Sequence, residues 1–234
     1  MPSASYKNAV DALRRHADPE KAAFYPSYFK NCSDDIFLGV TVPRTRAIAK
    51  EYWKLLSLAE VRTLMRSKIH EERSLANEIL CIQFKKSDEQ QQKKIFEFYV
   101  RNRHFIREWD GVDGSAPYII GPYLLDRNKK LLYELARSSR LWDRRIAIVS
   151  TLWFIRAGRI SDTLRLAKML LGDQEDLIHK ATGWALREVG KRDPAALRKF
   201  LNMYCTKMPR TALRYAIERF PEQERKKYLG RGRR

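Results

Sequence analysis

Apolar residues along this chain recur three and four positions apart, with no clear run at every second position. Leu75, Ile79, Leu80, Ile82 and Phe84 form one such run, and Leu164, Leu166, Ala167, Leu170 and Leu171 another. This spacing follows the 3.6-residue turn and predicts helix after helix, with no strands. The punctuation agrees. Asp18-Pro19-Glu20, Val42-Pro43, Asp193-Pro194 and Met208-Pro209 place proline in a first helical turn, where its missing N–H costs nothing. Gly158, Gly172 and Gly190 stand near the ends of apolar-periodic segments, as C-terminal caps do.

Aligning the helices by their openings exposes a repeat. A basic residue introduces an Ala-containing helix at Arg44, Arg73, Arg145, Lys180 and Arg210, and Trp109 falls in the gap in that series. Successive spacings are 29, 36, 36, 35 and 30 residues, the length of a two-helix unit at or just under the HEAT class. Such units stack side by side and create one continuous concave face. The expectation is one all-α HEAT-like repeat domain over residues 1–223, interrupted only by a short polar break near Lys85 to Gln92. A basic, disordered tail over 224–234, Glu224 to Arg234, would follow it.

Charge narrows the partner. Lys and Arg number 47 against 28 Asp and Glu, a formal net charge of +19 over 234 residues. That is the electrostatic footprint of a nucleic-acid binder, with ribosome association and acidic membranes as competing explanations. A cation in the first turn of a helix is mildly unfavourable against the macrodipole. A series of such helix starts makes sense where an anion docks, so the repeated Arg and Lys positions read as phosphate contacts. For any single Arg, solvation of a surface is the better explanation; for the series, phosphate binding is.

Other classes drop out. Cys32, Cys81 and Cys205 are far apart and odd in number, and His16, His70, His104 and His179 show no ligand spacing. Neither a disulfide framework nor a metal site is expected, and reduced intracellular thiols are. Residues 1–16 lack an apolar signal core, and the longest apolar stretch, Ile146 to Ile155, is too short to span a bilayer and is interrupted by Ser150 and Thr151. A cytoplasmic monomer, nucleoid-associated if bacterial, is the expectation.

Three segments carry candidate chemistry. In Trp109-Asp110-Gly111-Val112-Asp113-Gly114-Ser115-Ala116-Pro117, Trp109 and Asp113 share a helix face. Asp113 reads either as a surface or capping carboxylate paired to a cation, or as a catalytic carboxylate. Gly111 and Gly114 cost about 1 kcal/mol each against Ala and would let a backbone or ligand come close. In Leu141-Trp142-Asp143-Arg144-Arg145-Ile146-Ala147, twin arginines at a helix start suit a phosphate, or a salt bridge to Asp143 or a neighbouring helix. In the segment from Lys180 to Glu188, Gly183 beside Trp184 is costly unless close packing needs it, and a helical Trp is more often core than ligand surface.

Taken in order, WDxVD, WxxRxA and KAxGWxLRE resemble the AlkD family of alkylpurine DNA glycosylases. So does the upstream pattern of Tyr28-Phe29-Lys30-Asn31, Phe37-Leu38-Gly39-Val40 and Pro43. The resemblance covers about Pro19 to Phe220. It implies a superhelix of HEAT-like repeats with a concave, basic, DNA-binding face. It also implies hydrolysis of the N-glycosidic bond of cationic alkylated purines, chiefly 3-methyladenine and 7-methylguanine, in duplex DNA during base excision repair. The lesion need not be extruded into a pocket, and bulky adducts become conceivable substrates. Carried over by position, the catalytic carboxylate is Asp113, the sugar-facing indoles are Trp109 and Trp184, and the phosphate-contacting arginine is Arg145. Tyr28 matches an aromatic near the lesion. Thr41 stands where the family often has Gln after Gly-Ile, so it offers no side-chain amide to the DNA. Thr41, Arg44, Arg73, Arg144, Lys180 and Arg210 join Tyr28 as the DNA-binding candidates.

The chemistry fits those roles. A purine alkylated at N3 or N7 is a cation and leaves as a neutral base, so no general acid is required. The developing oxocarbenium sugar is cationic, and Asp113 can stabilise it and orient or deprotonate the attacking water. Trp109 and Trp184 can turn negative ring faces to the sugar. No cofactor is called for, and with no lysine nucleophile indicated, an abasic site is the product. Two alternatives need no Asp113: a non-catalytic DNA-binding repeat module, and a helical scaffold for an acidic protein.

Overall fold

The structure, a computed structural model, describes residues 3–29 and 34–231. Lys30 and Asn31 of the N-terminal motif, Cys32 and the last three residues of the basic tail lie outside the described residues. Among the described residues are fourteen α-helices, three short 3-10 segments and no strand; a single parallel bridge joins Ile36 to Ile69. The all-α expectation holds. The chain divides into two compact units, Met1–Ser115 and Ala116–Arg234, with the division inside a continuous helix.

The first unit holds α1 (Ala4–Arg15), α2 (Pro19–Phe24), α3 (Val42–Tyr52), α4 (Leu58–Met65), α5 (His70–Lys86), α6 (Glu89–Asn102) and the opening of α7 (Trp109–Leu124). Helix α5 is its centre, packed against α3, α4 and α6, with Leu75, Ala76, Ile79 and Leu80 entirely buried. The polar break near Lys85 is a tight turn: α5 ends at Lys86, and the Asp88 carboxylate accepts from the Gln91 N–H at 2.8 Å to open α6. At the other end of α5 the Glu71 carboxylate accepts from the Leu38 and Gly39 N–H groups at 2.9 and 2.8 Å. This anion at a helix N-terminus clamps the Phe37-Leu38-Gly39-Val40 segment onto α5. Gly39 has φ +78°, and a Cβ there would stand 2.1 Å from the Asp18 carbonyl oxygen, so no other residue fits.

The second unit holds the rest of α7, then α8 (Lys130–Leu135), α9 (Leu141–Arg156), α10 (Ser161–Met169), α11 (Asp176–Arg192), α12 (Pro194–Tyr204), α13 (Arg210–Ala216) and α14 (Glu222–Arg231). Its centre is α11, packed against α9, α12 and α13. The apolar run from Ile146 to Ile155 is the buried stripe of α9. The hydroxyls that interrupt it donate to their own helix, Ser150 to the Ile146 carbonyl and Thr151 to the Ile148 carbonyl, both at 2.6 Å. Among the described residues no helix is long and apolar enough to cross a membrane.

Arg44, Arg73, Trp109, Arg145, Lys180 and Arg210 fall in the first two turns of α3, α5, α7, α9, α11 and α13, each followed by one further helix. The period counted along the sequence is therefore a real two-helix step. The basic tail departs from expectation. Up to Arg231 it is the helix α14, held by Tyr228, which is 3% exposed and donates to Asn202 Oδ1 at 3.2 Å, and by Glu224, bidentate to Arg198 at 2.8 and 3.0 Å. Charge density suggested disorder; one buried tyrosine and one fork-shaped ion pair override it.

The glycines make a testable contrast. A Cβ on Gly183 would lie 2.5 Å from both the Ala212 carbonyl oxygen and Tyr215 Cβ, whereas one on Gly114 meets nothing within 4 Å. Gly183→Ala should therefore force α11 and α13 apart and lose about 1–3 kcal/mol despite the better helix propensity of Ala. Gly114→Ala should gain up to about 1 kcal/mol from propensity alone. Urea denaturation of the two variants should give midpoint shifts of opposite sign; equal signs would refute the close-approach role of Gly183.

Candidate active site

The start of α7 is built on charge. Arg73, on α5, is 4% exposed; its guanidinium donates to the Ser67 carbonyl at 2.8 Å, to Asp35 at 3.0 Å, and to the Glu108 carboxylate. Arg107 reaches Asp35 from outside at 2.6 Å. Glu108 immediately precedes α7, and its carbonyl accepts the Val112 N–H at 3.3 Å, closing the first helical turn. Burial pushes the Glu108 carboxyl above the usual carboxylate range, with Arg73 and His70 opposing. A buried guanidinium thus pins the residue that launches the helix bearing Trp109 and Asp113.

Trp109 itself is held from two sides. Its indole N–H donates to the Tyr28 carbonyl at 3.2 Å, and its ring stacks on Phe29 with centroids 5.6 Å apart and planes 18° apart. Behind Phe29 the His70 ring lies 4.7 Å away, and Phe37 stacks on His70 at 4.9 Å. Asp113, half-buried, sits one turn further along the Trp109 face. The adjoining helix surface at Gly114 is open, whereas a Cβ on Gly111 would stand 3.2 Å from Asn77 Nδ2 and Ile106 Cγ2. Of the two glycines expected to admit a ligand or another backbone, Gly111 is thus in contact with protein and Gly114 presents free space.

Arg145 and Trp184 belong to the second unit. Arg145 is 5% exposed and donates to the Leu177 carbonyl of α11. Lys180, close enough to feel the Arg145 charge, is ion-paired with Asp176 at 2.8 Å; that hydrogen bond raises its pKa against partial burial. Trp184, half-buried, lines a 560 Å³ concavity between α9 and α11, together with Leu152, Ile155, Arg156, Glu188, Lys191 and Arg192. Leu152, Ile155 and the Trp184 ring give it apolar surface, and the Glu188 carboxylate among its three cations is engaged by Lys191 at 2.7 Å.

The remaining candidates separate into builders and exposed groups. Arg73 is reassigned: a guanidinium buried among two carboxylates and a carbonyl holds protein, not phosphate. Arg144 is likewise engaged, gripping Asp173 at 2.6 and 3.1 Å and the Ser138 and Ser139 carbonyls, which is the salt-bridge reading of the twin arginines. Arg210 donates to the Leu229 carbonyl near the end of α14 yet stays exposed, and Arg44 is exposed on the first turn of α3. Tyr28 is 59% exposed and packs edge-on against Phe24. Thr41 caps α3 through its backbone carbonyl. Sequence reading passed over Asp35, His70 and Glu108. His70 and Glu108 are 38 positions apart, so no local motif could have paired them. Among the described residues no group of His, Cys, Asp and Glu is placed to hold a metal ion.

The model of the family described as DNA alkylation repair enzyme matches residues 9–220. A solved structure described as a predicted DNA alkylation repair enzyme from Enterococcus faecalis is similar, with TM-score 0.71 and 17% identity over 88% of this chain and 98% of that one. At that identity the likeness speaks for the fold. No curated protein matches the chain.

Replacing Arg73 tests the reassignment. Arg73→Met removes the buried guanidinium that Glu108 and Asp35 share, leaving them the half-exposed Arg107 and the longer His70 contact, and should cost about 3–5 kcal/mol of stability in urea unfolding. A surface phosphate contact would lose no more than about 0.5 kcal/mol, and that result would restore the DNA-binding reading.

Proposed function

We propose, from the premise that the chain belongs to the DNA alkylation repair enzyme family, that it is a monofunctional glycosylase. It would hydrolyse the N-glycosidic bond of cationic alkylated purines, 3-methyladenine and 7-methylguanine among them, in duplex DNA. The observation that carries this is the pairing of Trp109 and Asp113 on α7, with Trp109 anchored by Phe29 and the Tyr28 carbonyl. A fixed indole beside a carboxylate is a site for a cation, on a chain whose +19 charge attracts a polyanion.

In this reading the alkylated base is already the leaving group. As the bond breaks, the sugar becomes an oxocarbenium ion. The Asp113 carboxylate faces that charge and takes a proton from the water that attacks C1′, while the Trp109 ring stabilises the same cation; Trp184 keeps the role of a second sugar-facing indole on the family resemblance alone. The neutral purine departs and leaves an abasic site. Lys180 and Arg145 hold a phosphate of the duplex backbone. At 5% exposure Arg145 presents little surface, so Lys180 carries the larger share of that contact. Arg44, Arg210 and Tyr28, all exposed, are available to the rest of the duplex. The family resemblance, and nothing in the geometry, is the ground for reading this excision as one without extrusion of the base.

The deciding assay is base release from duplex DNA carrying 7-methylguanine, with Asp113→Asn alongside. Wild type should release free base, and Asp113→Asn should lose at least about 100-fold while binding the duplex as before. Equal release by both would remove Asp113 from the chemistry, and binding without release would favour a non-catalytic DNA-binding module. Separately, Lys180→Gln should lower the slope of log affinity against log salt by about one unit. An unchanged slope would show that Lys180 touches no phosphate.

A further inference from the structure

His70 opens α5, is 7% exposed, and is not part of the machinery described above. Its Nε2 lies 3.0 Å from Asp110 Oδ2. Its Nδ1 is buried, meets no hydrogen-bond partner among the described residues, and stands 3.9 Å from Glu108 Oε1. That separation is too long for a hydrogen bond, so Nδ1 and the Glu108 carboxylate interact through charge alone. The ring also fills the aromatic tier, against Phe37 on one side and Phe29 on the other, and Phe29 carries Trp109. His70 therefore touches the start of α7 twice, through the Asp110 carboxylate beside Trp109 and through the ring beneath Trp109.

The charges around it are unbalanced. Glu71 faces it from its own helix, and Glu108 and Asp110 from the start of α7. Asp35, from the segment before α3, adds a fourth carboxylate through Arg73. Two guanidiniums, Arg73 and Arg107, oppose these four. Among the described residues an imidazolium brings the cations to three against these four carboxylates. When it loses its proton, Nε2 can still donate to Asp110, but a lone pair on Nδ1 then faces the Glu108 carboxylate. The contact turns from attraction to repulsion at the root of α7.

We propose that His70 is a positioning residue whose buried imidazolium sets the orientation of Asp110 and, through Phe29, of the Trp109 indole. It is a proton-controlled seat for the Trp109–Asp113 face. Burial opposes the charged form, but the Asp110 hydrogen bond and the Asp110, Glu108 and Glu71 charges prevail, so the His70 pKa lies above its ordinary 6.5. The imidazolium and the stability it confers are fully present below the unfolded value of 6.5 and are lost as pH rises through the higher folded value. Its effect on excision rests on the glycosylase reading; its effect on Trp109 does not.

The test is an NMR titration of the full chain without DNA, from acid to alkaline pH. It follows the His70 ring and the Trp109 indole N–H, the latter assigned by its loss in Trp109→Phe. The two should shift with one shared midpoint above 6.5, and the Trp109 step should vanish in His70→Gln, which cannot become a cation. Where His70→Gln does not fold, the shared midpoint in wild type decides alone. A Trp109 resonance with no step at the His70 midpoint, or with the same step in His70→Gln, overturns the proposal. On duplex containing 7-methylguanine, single-turnover release should fall roughly tenfold through the same midpoint in wild type and stay flat in His70→Gln. A wild type that releases no base while Trp109 follows His70 removes the glycosylase reading and keeps this one. Release that proceeds while Trp109 ignores His70 does the reverse.

Discussion

The ion pairs of Arg73 hold the first unit's site together. One guanidinium joins the turn before α5 at Ser67, the segment before α3 at Asp35, and the residue before α7 at Glu108. Its planar fork suits this work better than a lysine ammonium, because several donors are fixed in one plane. Once Glu108 is placed, α7 has a fixed origin. Helix geometry then puts Trp109 and Asp113 on one face without further instruction.

This arrangement explains why acidic groups gather around Arg73 and His70 in so basic a chain. Asp35, Glu71 and Glu108 bind guanidinium or backbone N–H groups, and Asp110 binds the His70 ring. Each takes up a helix start or a loop that apolar packing leaves unsettled. Burying such a cluster is favourable only if every charge meets its partner, so the removal of one member propagates. An aromatic column of Trp109, Phe29, His70 and Phe37 stands beside it, and His70 belongs to both.

The second unit relies more on close backbone approach. Gly183 lets α13 sit directly against α11, and Gly121 lets α7 meet α9, where a Cβ would lie 2.6 Å from Trp153 Cβ. Trp184, the residue after Gly183, is thereby set on the wall of the concavity beside Arg156, Lys191 and Arg192. Cations at the helix starts have divided duties. Arg144 is bound to Asp173 as a structural fork, while Lys180, Arg44 and Arg210 keep exposed surface.

Much of the architecture was legible in the sequence, because apolar periodicity and helix punctuation are local properties that no distant contact has to supply. The helical class, the two-helix step carried by α3, α5, α7, α9, α11 and α13, and the shared face of Trp109 and Asp113 all follow from residues within a few turns of one another. The roles of the charged side chains do not. Arg73 and Arg44 look alike as helix-opening cations, yet one is buried among Asp35 and Glu108 and the other is exposed; the tail beyond Glu224 looks unstructured, yet Tyr228 and Arg198 fold it. His70 carried no signal because its partners lie 38 and 40 positions away. Sequence by itself determined which segments are helices and which residue types are present. Only tertiary structure decided which charges are neutralised inside the protein, because that depends on partners that the chain brings together after it folds.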